Sequence, residues 1–247
     1  MYGRERTDRI LEILKENGYV TVKYLTEKLH YSNATINRDL NLLESRKLVV
    51  RSYGGVELIE NRAVPLEFRY HKMKIAKNHI AKRAADFIKP GDTVFIGGST
   101  TAEGIGKFLT ETADVTVVTN DMSLVAYLSE HGVKVICTGG EVTEIPTMLG
   151  GECAVVTTMK FRFDGMFFAT GGISEDGMIG GSRTYFLLYE TVKRNSERVF
   201  YLTDHTKLNV ECEYVQCDLS EVDAVISDYR FDNAVKKKYP NTEFCEI

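Results

Sequence analysis

The chain has 247 residues, of which 43% are hydrophobic and 27% are charged, a balance typical of a folded protein rather than a disordered one. No run approaches 18 apolar residues and the N-terminus is charged, so the sequence predicts a cytoplasmic protein without a signal peptide. The five cysteines are odd in number and lack C-x-x-C spacing, which predicts reduced thiols and argues against a zinc site.

The formal net charge of −4 is unevenly distributed along the chain. Basic residues outnumber acidic ones by 10 to 9 in residues 1–61 and by 7 to 1 in residues 62–83. Acidic residues prevail by 25 to 14 in residues 84–247. This pattern is compatible with nucleic acid approaching the N-terminal end, although binding there must use individually placed charges rather than a strongly basic field.

The first 45 residues predict three short helices. The first covers residues 5–16, and the second runs from the N-cap Thr21 to Leu29. Ser32 is the expected N-cap of the third helix, whose apolar stripe recurs at helical spacing. The inward residues are Ile10, Leu11, Ile13 and Leu14 in the first helix, Val22, Leu25 and Leu29 in the second, and Ile36, Leu40 and Leu43 in the third.

The third helix has a polar outer face made of Thr35, Asn37, Arg38 and Asn41. Amide and guanidinium groups read base edges, while hydroxyls, arginine and free N–H groups hold phosphates. A solvated amphipathic helix has the same pattern, so the neighbouring elements decide. An extended segment at 48–51, the turn Gly54-Gly55 and a second strand complete a winged helix-turn-helix.

Three N-terminal motifs resemble the DeoR family of bacterial sugar-metabolism regulators. They are Arg6, Ile10 and Leu14; Ser32-x-x-Thr35-Ile36-x-Arg38-Asp39-Leu40; and Leu48-x-x-Arg51-x-x-Gly54-Gly55. The sequence departs from the family at Asn37 and Tyr53, where the family usually has a basic residue and a histidine. The resemblance and the polar face together predict these DNA contacts: Ser32, Asn33, Thr35, Asn37, Arg38, Asn41, Arg51, Tyr53 and Gly54.

Residues 1–60 are thus expected to form the DNA-binding domain, residues 61–74 a linker, and residues 75–247 an effector-binding domain. The segment 62–83 is basic through Arg69, Lys72, Lys74, Lys77, Lys82 and Arg83. Two interpretations remain open: a solvated linker and helix, or a direct contact with the DNA backbone. Ile80, Ala84 and Phe87 form an inward stripe, so this segment is expected to become the first helix of the second domain.

From residue 93 onward strands and helices alternate, which predicts a Rossmann-like α/β domain with a largely parallel sheet. Strands are expected near 93–97, 115–119, 133–138, 165–169, 197–202 and 223–227, and helices near 102–110, 121–131, 183–195 and 232–239. Several double glycines follow predicted strands, at the edge where ligands bind in open α/β sheets.

The loop Gly97-Gly98-Ser99-Thr100-Thr101 is predicted to bind an anion. Glycine allows close approach of the backbone, three hydroxyls donate hydrogen bonds, and the following helix start supplies free N–H groups. The loop is neither a Walker A motif nor a dinucleotide fingerprint, so a small phosphate ester is favoured over a nucleotide. A plain strand-to-helix turn without ligand is the alternative.

Further candidates end the other strands of the predicted sheet. Asn120, Asp204 and the main chain are expected to meet the hydroxyl-bearing part of a sugar, with Lys207 as a countercharge. Arg183 is a second candidate countercharge, but an exposed arginine at a helix start is the favoured interpretation. His205 has no partner residue in the sequence pattern, so a surface or structural role is favoured over proton transfer. The full predicted effector set is Gly98, Ser99, Thr100, Thr101, Thr119, Asn120, Gly139, Gly140, Gly171, Gly172, Asp204 and Lys207.

These loops resemble the sensor domain of the DeoR family, which is similar in fold to ribose-5-phosphate isomerase and binds phosphorylated sugars or related metabolites. The isomerases need a carboxylate base and a lysine for proton transfer. This chain has Thr170-Gly171-Gly172 at the position where the isomerases have an acidic cluster. We therefore expect no catalytic residues, no cofactor and no metal. The resemblance implies a ligand-controlled repressor that binds an operator as a homo-oligomer; the alternatives are an activator, or an isomerase with an appended DNA-binding domain.

Overall fold

The computed structural model describes residues 3–46, 48–52, 55–58, 69–70, 73–109, 114–145, 147–212 and 214–247. The chain divides into two compact units, residues 1–72 and 73–247. None of the helices within the described ranges is long and apolar enough to cross a membrane. The five cysteines are all free thiols.

The N-terminal unit is a winged helix-turn-helix, as the sequence predicts. Its elements are α1 (Gly3–Asn17), β1 (Tyr19–Thr21), α2 (Val22–Leu29), α3 (Asn33–Ser45), β2 (Val49–Ser52) and β3 (Gly55–Leu58). The strands form an antiparallel sheet in the order β1-β3-β2. The predicted hairpin is therefore widened by β1, a strand of three residues that the sequence pattern does not reveal.

Helices α2 and α3 begin where side-chain oxygens cap them. The Thr21 hydroxyl accepts a hydrogen bond from the Tyr24 N–H at 3.0 Å, so α2 begins directly after β1. The predicted apolar stripes meet in one core, which also takes Val49 and Val56 from the hairpin. Leu11 and Leu29 are only half-buried at its margin.

The second unit is an α/β domain around one parallel sheet. Its helices are α4 (Lys74–Ala85), α5 (Gly106–Leu109), α6 (Met122–Glu130), α7 (Gly151–Thr158), α8 (Phe186–Arg194) and α9 (Asn233–Lys238). Its strands are β4 (Thr93–Ile96), β5 (Thr116–Thr119), β6 (Lys134–Cys137), β7 (Glu141–Val142), β8 (Leu149–Gly150), β9 (Gly165–Phe168), β10 (Met178–Gly181), β11 (Val199–Thr203), β12 (Tyr214–Asp218), β13 (Ala224–Ser227) and β14 (Glu243–Glu246).

Seven of these strands pair in the order β14-β13-β11-β9-β4-β5-β6, and every pairing is parallel. Alternate residues of β4 enter opposite cores: Phe95 packs with α7 and α8, whereas Val94 and Ile96 pack with α4 and α6. Because helices cover both faces, the inner strands are continuously apolar. The Rossmann-like α/β architecture predicted from the sequence is confirmed.

Several elements differ from the prediction. The helix expected near 102–110 begins as a 3₁₀ turn, Ala102–Ile105, before α5. Helix α7 and strand β14 are additional, as are the two-stranded antiparallel pairs β7-β8 and β10-β12. Helix α7 contains Val-Val-Thr-Thr, a β-branched run with low helix propensity, so packing rather than local preference makes it helical. Phe87 lies beyond the end of α4 and is half-buried.

Candidate nucleic-acid interface and effector site

The start of α3 is fixed by Ser32. Its hydroxyl accepts from the Thr35 N–H at 3.2 Å and lies 2.9 Å from the Thr35 hydroxyl. Asn33 is exposed in the first turn, where backbone N–H groups of a helix are free to bind an anion. Ser32, Asn33 and Thr35 therefore lie together at a helix start, an arrangement that suits a phosphate of a DNA backbone.

Arg38 lies on the outer face of α3. Its side chain is exposed, and within the described part of the chain no hydrogen bond or ion pair engages its guanidinium. The neighbouring Asp39 faces the opposite way and is buried. Arg38 can thus extend toward a ligand without giving up an existing contact.

The other polar residues of this face contact one another. The two guanidinium nitrogens of Arg51, on β2, donate to the Asn37 and Asn41 side-chain oxygens; the bond to Asn41 measures 2.5 Å. The Asn37 amide nitrogen donates to the Asn33 carbonyl at 2.8 Å. The structure therefore brings Asn37 and Asn41 of α3 and Arg51 of β2 into one cluster. The remaining predicted DNA contacts, Tyr53 and Gly54, lie outside the described residues.

An ion pair below this face joins α1 to α3. The Arg6 guanidinium makes two hydrogen bonds to the Asp39 carboxylate, one of them 2.9 Å long, and lies 4.8 Å from the centre of the Tyr31 ring. The bond to Asp39 raises the pKa of Arg6. Only 14% of the Arg6 side chain and 7% of the Asp39 side chain are exposed, so this largely buried pair joins α3 to α1.

The predicted effector loops lie at one edge of the parallel sheet. In the sheet, β5 and β6 lie on one side of β4, and β9, β11 and β13 lie on the other. The loops after β4 and β9 therefore flank the point where the strand order reverses, which is where ligands bind in open α/β sheets. The loops after β5, β6 and β11 begin at this same edge, because the strands are parallel.

The loop after β4 presents unused hydrogen-bond donors. Within the described residues, the backbone N–H groups of Ser99, Thr100 and Thr101 meet no acceptor. The Ser99 hydroxyl accepts from the Ala102 N–H at 2.9 Å, which turns the chain into the 3₁₀ segment. A Cβ atom at Gly98 would lie 2.8 Å from the Met148 side chain, so any larger residue there requires Met148 to move. These N–H groups are donors that an anion could use, and anion binding at this loop stays a prediction.

Asn120 holds this loop from below. Its side-chain oxygen accepts from the Gly98 N–H at 2.9 Å, and its amide nitrogen donates to the Leu149 carbonyl at 2.9 Å. Asn120 is completely buried, as is Thr119, whose hydroxyl donates to the Ile96 carbonyl at 2.6 Å. Both residues therefore have structural hydrogen bonds, and their direct contact with a sugar stays a prediction.

Two double-glycine loops follow β6 and β9 at the same edge of the sheet. Gly140 has φ +112°, a conformation that L side chains rarely adopt, and its Cα faces the Gly150 carbonyl. Gly139 also has a positive φ and has open space beside it. Gly172 is buried against Val210, whereas Gly171 is exposed. The Thr170 hydroxyl lies 3.0 Å from the Tyr201 hydroxyl, and burial raises the pKa of Tyr201.

The stretch after β11 also uses its polar groups internally. The buried Asp204 carboxylate accepts from the Thr206 N–H at 3.0 Å and caps a 3₁₀ turn that contains Lys207. Burial raises the pKa of the Cys212 thiol, against a smaller opposing effect of the Lys207 charge. The interpretation of His205 as unpaired is wrong: its Nδ1 lies 2.7 Å from the Asp228 carboxylate, a contact between distant residues that no local motif signals.

One contact at the loop was not predicted. The Lys77 ammonium, on α4, donates to the Thr100 hydroxyl at 2.9 Å. In the sequence Lys77 is one of several basic residues. The one local signal that distinguishes it from the exposed Lys74 and Lys82 is its position three residues before the inward Ile80, on the same helix face. No group of His, Cys, Asp or Glu among the described residues is arranged to hold a metal ion.

Two family models match the chain. The DeoR-like helix-turn-helix domain matches residues 6–62, and the DeoR C-terminal sensor domain matches residues 72–229. The HTH-type transcriptional repressor GlcR of Bacillus subtilis is 28% identical over all of this chain and 93% of its own length. The glycerol-3-phosphate regulon repressor of Escherichia coli is 30% identical and covers 92% of each chain.

Solved structures resemble this chain at low sequence identity. The eIF2B delta subunit from Chaetomium thermophilum is 17% identical, covers 85% of this chain and 77% of its own, and has a TM-score of 0.50. Ribose 5-phosphate isomerase A from Methanocaldococcus jannaschii is 16% identical, covers 56% of this chain and 55% of its own, and has a TM-score of 0.41.

The two family models lie side by side and together cover most of the chain, in the order in which the two units occur. The full-length relatives are repressors and not enzymes, which confirms the prediction of a regulator over that of an isomerase. The chain therefore belongs to the DeoR family of DNA-binding transcriptional regulators.

Proposed function

We propose that the protein is a cytoplasmic repressor of sugar-metabolism genes whose DNA binding is controlled by a phosphorylated sugar or related metabolite. Residues 1–60 bind the operator, residues 75–247 bind the effector, and residues 61–74 form the linker between these two domains. The DNA-binding half of this proposal rests on one observation: Arg38 is exposed on the outer face of α3, shortly after the helix start that Ser32 caps. A side chain without internal partners at this place is suited to a base edge.

The effector part is supported by the loop after β4. Three consecutive N–H groups without acceptors, at residues 99–101, offer the donors that the oxygens of a phosphate ester require. The predicted sugar contacts at Asn120, Asp204 and Lys207 and the glycines of the neighbouring loops complete the proposed site. The effector must bind the DNA-competent and DNA-incompetent arrangements with different affinities, because equal affinity shifts no equilibrium.

We further propose that the protein acts as a homo-oligomer, a dimer or a tetramer. A single α3 contacts only a few base pairs, and helix-turn-helix proteins reach operator specificity by placing two such helices on half-sites about one helical turn apart. The operator is then expected to be a two-fold repeat.

Replacing Arg38 with alanine is expected to weaken binding to the operator by about 1–3 kcal/mol, the value of a good base contact. The full-length protein first selects a duplex from a random-sequence pool, and fluorescence anisotropy then gives the affinity of each variant. Arg46→Ala is the matched control, because Arg46 is an exposed arginine that follows the C-terminal end of α3. Equal affinities of wild type and Arg38→Ala would contradict the role of this face.

Because Asn37 and Arg51 are hydrogen-bonded, their substitutions are expected to have non-additive effects on DNA affinity. Asn37→Ala is expected to weaken duplex binding in the wild-type background but not in Arg51→Ala, because Asn37 accepts a hydrogen bond from that guanidinium. A coupling of about 0.5–3 kcal/mol is typical of residues in direct contact. The same duplex measures the double-mutant cycle. Additive losses would mean that Asn37 contacts DNA independently of Arg51.

A further inference from the structure

Helix α7 has an exposed apolar side. Val156 is 47% exposed, and Met159, the cap at the end of the helix, is 61% exposed, whereas Ala154 and Thr158 are buried on the opposite side. Residues 153–159 include no charged side chain. A helix that is apolar on all sides is normally covered on all sides, so part of α7 is left uncovered by its own chain. The exposed residues of this side, referred to as the α7 face, are Glu152, Cys153, Val156, Met159 and Lys160.

The neighbouring helix α8 enlarges the apolar surface. The two helices run side by side in the same direction. A Cβ atom at Gly150, before α7, would lie 3.7 Å from the Tyr185 ring at the start of α8. Beyond their other ends, the Asn195 amide donates to the Thr158 carbonyl at 3.5 Å. Leu187 of α8 is 62% exposed and lies two positions after the buried Tyr185, so it points away from the sheet as Val156 does.

The α7 face has opposite charges at its two ends. Glu152 lies in the first turn of the helix, and Lys160 follows its cap. Among the residues that the structure describes, neither side chain forms an ion pair or a hydrogen bond. The surrounding exposed charges have the same polarity on balance: Glu141, Glu144 and Arg183 near the helix starts, and Arg162 and Arg194 near the helix ends. One end of the apolar surface is therefore acidic and the other basic.

The order of residues on the α7 face is self-complementary. Glu152 and Lys160 lie four positions before and after Val156, and Cys153 and Met159 lie three positions before and after it. A two-fold interface requires that each contact between two residues occurs twice, once in each direction. When two α7 helices cross antiparallel with the two-fold axis at Val156, Glu152 meets the partner's Lys160 at both ends. The apolar residues then occupy the centre, where charged residues are depleted in protein interfaces.

We propose that the α7 face, together with Leu187 of α8, is the surface through which two copies of this chain associate. The assignment rests on the proposed homo-oligomer and goes beyond it by naming the surface and the orientation. The apolar side chains exclude water between the copies, and the two pairs of Glu152 with the partner's Lys160 fix the antiparallel arrangement, because like charges would meet in the parallel one.

The test measures the mass of the full-length protein by sedimentation equilibrium over a range of concentrations. The variants are Val156→Glu, Glu152→Lys and Lys160→Glu, and circular dichroism checks that each one is folded. Ile75→Glu is the matched control, because Ile75 is 75% exposed on α4, whose buried residues pack against the other face of the sheet.

Val156→Glu is expected to raise the Kd of association about a hundredfold or more, because two carboxylates would be buried opposite each other at the axis. Glu152→Lys and Lys160→Glu should each raise it about tenfold, since two exposed ion pairs become two repulsions. An equimolar mixture of these two charge variants should associate almost as tightly as the wild type, because every pair again joins opposite charges. This recovery requires contacts between chains, since residues 152 and 160 of one helix are about 12 Å apart.

The outcomes separate this surface from the homo-oligomer itself. A wild-type mass for Val156→Glu, an equal loss of association in Ile75→Glu, or a mixture that associates no better than either charge variant alone overturns the assignment of the α7 face. A tetramer that Val156→Glu converts to dimers supports it, because one kind of interface has been lost. If the wild type is a monomer at every concentration, the proposed homo-oligomer fails, and the inference with it.

Discussion

Replacing Arg6 with alanine is expected to destabilise the N-terminal unit more than any change on its DNA-reading face. The change leaves the buried carboxylate of Asp39 without its guanidinium partner. Breaking a buried pair costs about 3–5 kcal/mol, and because Arg6 keeps some solvent exposure we expect about 2–4 kcal/mol here. Hydrogen exchange of the full-length protein measures the loss for α1 and α3 separately from the second unit.

Arg9 provides the control for this prediction. It also forms an ion pair on α1, with Glu12, but half of each side chain is exposed and solvent screens the interaction. Arg9→Ala should therefore leave the exchange of α1 and α3 at the wild-type level. A double variant, Arg6→Met with Asp39→Leu, should recover much of the stability, because it removes the unpaired charge as well as the pair. Equal effects of Arg6→Ala and Arg9→Ala would refute the structural role of Arg6.

The second large effect is expected at Asn120. Asn120→Ala deprives the buried Gly98 N–H and the Leu149 carbonyl of the partners they use in the structure. Each buried polar group left unpaired costs about 1–3 kcal/mol, so we expect a loss of about 2–5 kcal/mol in the second unit. Hydrogen exchange of β4, β5 and the following loops measures it.

Effector affinity should fall together with stability, because Asn120 fixes the backbone of the loop whose N–H groups are proposed to bind the phosphate. Asn233→Ala is the control, since Asn233 is exposed at the start of α9. If Asn120→Ala abolished effector binding with stability unchanged, Asn120 would contact the sugar directly, as the sequence suggests, and its structural role would be refuted.

The elements that the sequence predicts well are those with local signals. Thr21 and Ser32 cap their helices as predicted, and the strands of the parallel sheet have continuous apolar runs. Strand β1 was missed because three residues carry no period, and their partner Gly55–Leu58 lies more than thirty positions away. Strand β14 ends the chain with one buried residue, Cys245, and is a strand only because β13 offers an edge.

The candidate sites divide in the same way. The motif around Arg38 identifies an exposed helix face because helical spacing is a local property. Whether a polar residue on that face is engaged depends on tertiary contacts, as the Arg51 bonds to Asn37 and Asn41 illustrate. Asn120 has the residue type of a sugar ligand, yet the packing of β8 beneath it makes it a structural bridge. The Lys77 to Thr100 contact likewise requires the fold.

The strand order has a consequence for self-association. The parallel sheet ends at β6 and β14, whose outer backbone groups are the places where another copy could add a strand. Lys134 is exposed on β6. Glu243 and Glu246 are the first and last residues of β14, and they pair with Arg198 and Lys236 of the same chain. Two copies joined edge to edge through β14 would bring these glutamates together and break their ion pairs. The charges of β14 therefore disfavour self-association through this edge of the sheet.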